Sequence, residues 1–119
     1  MAFSKAHVFP KNEYHFALQC KLLSHPARIR ILRRILENQK DGISFDKLVR
    51  GIPLSRNTIS QHLQILRRKR IIVSKSTETS TIHFINAELD YTLFSLVDLI
   101  LNIPSEENQH EINDFHLLG

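Results

Sequence analysis

Apolar residues are spaced along this chain in two different rhythms, helical up to about residue 70 and strand-like just beyond it. Phe16, Cys20 and Leu23 stand at i, i+4 and i+7 and predict a first helix, capped by Asn12 and starting at Glu13. Ser24-His25-Pro26 closes it, because proline disfavours helical backbone in the residue before it. Pro26 also suits the first position of a second helix, reaching about Asn38. Ile29, Leu32, Ile35 and Leu36 form its apolar face, and Arg28, Arg30, Arg33 and Arg34 cover the remainder. After the turn Lys40-Asp41-Gly42, Ser44 caps a short third helix holding Phe45, Leu48 and Val49. Gly51-Ile52-Pro53 stops that helix, and Ser55 caps a fourth, from Arg56 to about Lys69.

β-branched residues then dominate. Ile71 to Lys75 and Thr81 to Asn86, joined by Ser76-Thr77-Glu78-Thr79-Ser80, predict a hairpin whose link lacks the usual glycine. Asn86 is the expected cap of a last helix from about Ala87 to Asn102. Its Leu89, Leu93, Leu96, Val97, Ile100 and Leu101 leave little polar circumference. A helix apolar nearly all round must be buried on several sides, and in a chain this short a subunit interface is the expected cover. Pro104 ends it. The remainder, Ser105 to Gly119, is acidic and mostly polar.

The fourth helix carries the chemistry. At about 100° per residue, Asn57, Gln61, Gln64 and Arg68 fall on one face with Ser60 and Arg67 beside them, while Ile59, Leu63 and Leu66 point into a core. Amides, hydroxyls and guanidinium groups are the side chains that read base edges and phosphates. No acid interrupts the helix. The wider charge distribution agrees. Residues 1–27 carry +2, residues 28–75 carry +10, and the rest carries −8, within a net +4. A segment that basic suits a polyanion, since cations that neutralise phosphates release condensed counterions.

Composition narrows the classes further. The 119 residues are 42% hydrophobic and 24% charged, which fits one soluble domain with a modest core and excludes collagen-like or wholly disordered chains. A single cysteine permits no internal disulfide, so a reducing cytoplasm is expected. No 18-residue apolar run exists and the N-terminus lacks a signal-peptide block, so no membrane partner is expected. Without a glycine-rich phosphate loop or a nucleophile elbow, the chain reads as no enzyme, with no catalytic residues.

Two short helices followed by a hairpin describe a winged helix-turn-helix. The run Leu22-Leu23-Ser24-His25-Pro26-Ala27-Arg28-Ile29-Arg30-Ile31-Leu32 resembles the "L-x-x-P-x-R-x-x-I-L" entry of the arsenic-repressor-like (ArsR-type) transcriptional regulators. Leu54-Ser55-Arg56-Asn57-Thr58-Ile59-Ser60-Gln61-His62-Leu63-Gln64-Ile65-Leu66-Arg67 is similar to their "L-S-x-x-T-[VI]-S-x-H-L-x-x-L-[RK]". The likeness extends over residues 15 to about 101. It implies a mainly α fold with a small β-hairpin, about five helices plus a wing, dimerising through the first and last helices. It further implies a homodimeric repressor of double-stranded DNA, bound at an inverted repeat and released by an effector the sequence does not identify.

Carried onto this chain, the resemblance places Ser55, Arg56, Asn57, Ser60 and Gln61 at bases or adjacent phosphates, with Arg67, Arg68 and Lys75 adding phosphate contacts. Thr58 matches the motif as well, and Gln64 joins the DNA-binding set from the polar face of the helix. His62 either reaches a phosphate or supports packing. The expected dimer interface comprises Phe16, Cys20, Leu23, Leu89, Leu93, Leu96, Val97 and Ile100. The chain divides into an N-terminal arm (1–12), the DNA-binding and dimerisation domain (13–103) and an acidic tail (104–119). Two departures stand out: Arg70 occupies the position where such regulators usually turn on glycine, and the wing tip has no charge except Glu78.

Many ArsR-type proteins hold metal through a cysteine pair in the third helix, or through Asp and His on the last. Here Ser44-Phe45-Asp46-Lys47-Leu48 has no cysteine, and the last helix has Asp90 and Asp98 without histidine, so no metal or other cofactor is expected. His7, His15, Cys20 and His25, or His110, Glu111, Asp114 and His116 in the tail, offer only loose alternatives. Cys20 reads as a small apolar residue, or as one half of a pair across a dimer. The competing function is a winged-helix assembly module with secondary or non-specific nucleic-acid binding. RNA binding is disfavoured by the lack of an aromatic stacking platform.

Overall fold

The computed structural model describes residues 8–104. The acidic tail with its four candidate ligands, His7 and most of the arm lie outside the described residues. Five helices and three strands follow in the order α1 (Lys11–Leu22), α2 (Pro26–Glu37), β1 (Ile43–Ser44), α3 (Phe45–Leu48), α4 (Arg56–Arg68), β2 (Ile72–Ser76), β3 (Thr81–Ile85) and α5 (Tyr91–Asp98). One 3-10 turn, Leu99–Asn102, extends α5. A helix-turn-helix, α3 and α4, thus precedes a hairpin wing, as the sequence predicts.

Caps explain most of the boundaries. Ser44 Oγ accepts from Lys47 N–H, and Ser55 Oγ accepts from Thr58 N–H at 3.1 Å. Pro26 opens α2. Two expected caps fall elsewhere. Pro10, not Asn12, precedes α1, and Asn12 sits inside the helix with its Oδ1 on the neighbouring Glu13 N–H. Asp90, not Asn86, caps α5 through Leu93 N–H at 2.8 Å. The Asn86 amide instead donates to the Arg70 carbonyl and accepts from Glu88 N–H, which pins the exit from the wing.

The core is aliphatic. Ile31, Leu32 and Ile35 of α2 meet Leu48, then Ile59 and Leu66 of α4, Ile71 and Ile72 entering the wing, and Val97 of α5. The inward face of α2 is therefore centred on Ile31, with Ile29 and Leu36 only half-buried at its margins. Its arginines do more than cover a surface. Arg34 Nη1 donates to the Leu48 carbonyl at 2.7 Å and also to the Arg50 carbonyl, holding the end of α3. Arg33 Nη2 donates to the Ile103 carbonyl, fastening the segment after α5. Arg28 is 8% exposed.

The antiparallel sheet has the order β1-β3-β2. The strand β1, two residues long, pairs Ile43 with His83 and Ser44 with Ile82. Its approach requires Gly42, whose φ is +77°, because a Cβ there would lie 2.6 Å from Phe84 Cζ. The wing pairs Ile72 with Ile85 and Ser76 with Thr81. Its turn needs no glycine: Thr77 N–H and Oγ1–H both donate to the Ser80 carbonyl, and Ser80 N–H donates back to Thr77 Oγ1. After α4, Arg70 takes φ +58°, the left-handed conformation in which Ile71 N–H reaches the Leu66 carbonyl.

Candidate nucleic-acid interface

Ile59, Leu63 and Leu66 anchor α4 in the core and thereby turn its opposite face outward. Asn57, Ser60, Gln61, Gln64, Arg67 and Arg68 are all exposed there. Between this helix and the wing runs an open groove of about 570 Å³. Asn57, Ser60, Gln61, Gln64 and Arg67 form its helical wall, Thr81 and His83 its wing wall, with Phe45 and Leu63 completing it. Five of the residues expected to read DNA therefore share one surface. Arg68 lies in the last turn of the same helix, where a cation also suits the helix dipole.

The other expected residues take different positions. Ser55 is the N-cap, and Thr58 Oγ1 lies 2.9 Å from its hydroxyl. Arg56 is engaged within the chain: its guanidinium pairs with Asp46 and lies 4.9 Å from the centre of the Phe45 ring. Lys75 is exposed on β2 with its ammonium 5.4 Å from the centre of the Phe84 ring. Half-buried His62 accepts at Nδ1 from Arg28 Nε–H at 3.2 Å, and its ring lies 5.9 Å from that of His25. Desolvation first, then the charges of Arg28 and His25, hold the His62 pKa below its ordinary value.

Phe45, Asp46, Thr81 and His83 belong to this surface as well, although the sequence did not single them out. His83 is 3% exposed. Its Nδ1 lies 2.7 Å from Ser74 Oγ, while Nε2 is buried with no hydrogen-bond partner among the described residues. Burial, and secondarily the charge of Arg67, lower its pKa. The imperfect alternation of β3 hid this residue, since only pairing with β1 and β2 decides which way the strand faces.

A second hollow, of about 490 Å³, lies between α1 and α5, where Phe16, Gln19, Asp90 and Tyr91 meet. Of the residues expected at a subunit interface, Leu23, Leu93, Val97 and Ile100 are buried in the chain's own core, and Leu89 and Leu96 pack against it. Cys20 is a half-buried free thiol, and Phe16 is exposed. The large apolar side chains that face outward on these two helices are instead Tyr14, Phe16, Leu18, Tyr91 and Phe94, continued by Leu99 and Leu101. Among the described residues, no three His, Cys, Asp or Glu side chains are grouped to hold a metal ion. No described helix is long and apolar enough to cross a membrane.

Comparison with known proteins places this geometry. Residues 23–74 match the model of a family described as a helix-turn-helix domain. No curated protein matches the chain. Among solved structures, the chain is similar to the transcriptional repressor BigR of Xylella fastidiosa (TM-score 0.65, 24% identity, covering 78% of this chain and 86% of BigR). It is similar to the transcriptional regulator HlyU of Vibrio vulnificus (TM-score 0.65, 18% identity, covering 88% and 100%). Rv0081 of M. tuberculosis is a third (TM-score 0.62, 25% identity, covering 87% and 98%). The fold is a winged helix-turn-helix.

Proposed function

We propose that this chain is a transcriptional regulator of the arsenic-repressor type that binds double-stranded DNA as a homodimer, represses, and recognises an imperfect inverted repeat. The observation that carries this reading is the outer face of α4: exposed Asn57, Ser60, Gln61 and Gln64, flanked by Arg67 and Arg68, with no acid on the helix. Such a face enters a major groove, where amides and guanidinium groups pair with base edges and phosphates. The helix-turn-helix match over residues 23–74 supports it, as do BigR and HlyU, which are themselves described as a repressor and a regulator.

The outward apolar belt of α1 and α5 supports dimerisation. Tyr14, Leu18, Phe94 and Leu99 are exposed on neighbouring elements, and a second copy is the partner that covers the same patch on both sides. In this reading residues 13–103 bind DNA and dimerise, between the arm (1–12) and the acidic tail (104–119). The protein acts in the cytoplasm, without catalytic activity, under an effector still to be identified.

Selection of binding sites from a random DNA pool at near-physiological salt tests the reading. Enrichment of an inverted repeat is the expected result, with affinity lost in Arg56→Ala and Gln61→Ala. Failure to enrich any sequence, with retention of DNA only at low salt, would favour the assembly module instead.

A further inference from the structure

A helix lying in a major groove is bordered by two phosphate backbones, one along each flank. On one flank of α4 the wing stands ready, with Arg67 and Lys75 as cations. On the other, His62 faces the start of α2, where it meets Arg28 and His25. Resting on the DNA-binding reading above, we propose that His62 and His25 clamp a backbone phosphate of the strand away from the wing, with Arg28 as the buried positioning residue.

Arg28 is the first support. It is nearly buried, yet its donors go to the Leu22 carbonyl at 2.9 Å and to His62 Nδ1, and no carboxylate pairs with it among the described residues. A desolvated guanidinium without a counter-ion favours any site nearby that an anion can complete. The second support is the tautomer. Because Nδ1 accepts from Arg28, neutral His62 carries its proton on Nε2, the ring nitrogen turned away from Arg28. That N–H is a donor fixed in direction before DNA arrives. The third is His25, which is exposed, precedes α2 without capping it, and tilts its ring 55° to that of His62.

The charged groups acting on His62 are Arg28 from α2 and His25 from the turn before it. From α1, the Leu22 carbonyl holds Arg28. Desolvation first, then the charge of Arg28, opposes a charge on His62 in the free protein, and a bound phosphate reverses that balance. Binding therefore takes up protons, and affinity rises as pH falls.

The test needs no operator, because phosphate contacts are independent of sequence. Fluorescence anisotropy with a random-sequence duplex of about 30 base pairs is run over a salt series at about pH 6 and about pH 8. The intact wild type is expected to bind severalfold more tightly at the lower pH, as proton uptake by the clamp on binding requires. Its salt slope should also be steeper there by about one unit per clamp. His62→Gln and His25→Asn should each lose the gain at low pH. Arg67→Ala should weaken binding at both pH values and keep the gain. A wild type whose affinity does not change with pH overturns the clamp, and so does a gain that survives in both histidine variants. Should His62→Gln fail to fold, exposed His25→Asn decides alone. A wild type that retains no duplex at either pH rejects the DNA-binding reading, and the clamp with it.

Discussion

Gln19 Nε2 donates to Asp90 Oδ2 at 3.2 Å, joining α1 to the start of α5 across 71 residues of chain. The same carboxylate caps α5 through its other oxygen. Asp90→Ala removes both bonds and should cost about 1–2 kcal/mol. Asp90→Asn, which still caps, should cost less. Urea denaturation of the two variants measures the difference, and equal losses would assign the whole effect to the bond with Gln19.

Gly42 and Arg70 share a left-handed backbone with opposite side-chain requirements. Gly42→Ala puts a methyl group against Phe84 and Ile82 and should destabilise by more than about 1 kcal/mol. Arg70→Gly relieves a strained conformation and should stabilise by up to about 1 kcal/mol. Thermal melts of both proteins are the check, and a loss of stability in Arg70→Gly would mean that the arginine side chain makes a contact worth more than its strain.

Stability should fall in mild acid. Burial lowers the pKa of His83 in the folded chain, and that of His62 is lowered too, whereas in the unfolded chain both return to about 6.5. As pH drops below about 6.5 the unfolded state binds protons that the folded state refuses, so unfolding becomes easier. Above that value neither site contributes. Urea midpoints measured from about pH 8 down to pH 5 should decline for the wild type. The decline should be shallower in His83→Leu, and an identical profile would locate the titration elsewhere.

Substituting the apolar belt separates folding from association. Phe94 is half-exposed on α5, so Phe94→Glu should leave the monomer folded while abolishing the dimer. Sedimentation velocity resolves the two species, and circular dichroism confirms the helices. A Phe94→Glu protein that still sediments as a dimer would move the interface off this face.

What the sequence made legible was local. The Ser44 and Ser55 caps, Pro26 at the head of α2 and the two-sided character of α4 all follow from residues within a turn of one another. Non-local pairing was hidden. Strand β1 is Ile43-Ser44 alone and exists only because β3, almost forty residues later, offers it partners. Asn86 has the chemistry of a helix cap, but its amide is held by the Arg70 carbonyl and α5 starts only after Asp90. Arg28 lay within a recognisable motif, yet its burial and its hold on His62 depend on how α2 crosses α4. Periodicity likewise showed that α5 is apolar nearly all round, without dividing it between the chain's own core and the outward belt.

The ion pair between Arg56 and Asp46 has a consequence for how fast and how selectively a duplex is held. Asp46 is an internal competitor: its carboxylate occupies the guanidinium that a phosphate or a guanine edge would claim. A contact that needs Nη2 must displace it, so a poorly matched site gains less from Arg56 and is released sooner. Asp46→Asn should accordingly lengthen the residence time on random duplex, measured by stopped-flow dissociation, more than on the selected operator. Discrimination between sites would thus be set partly by a residue that never touches DNA.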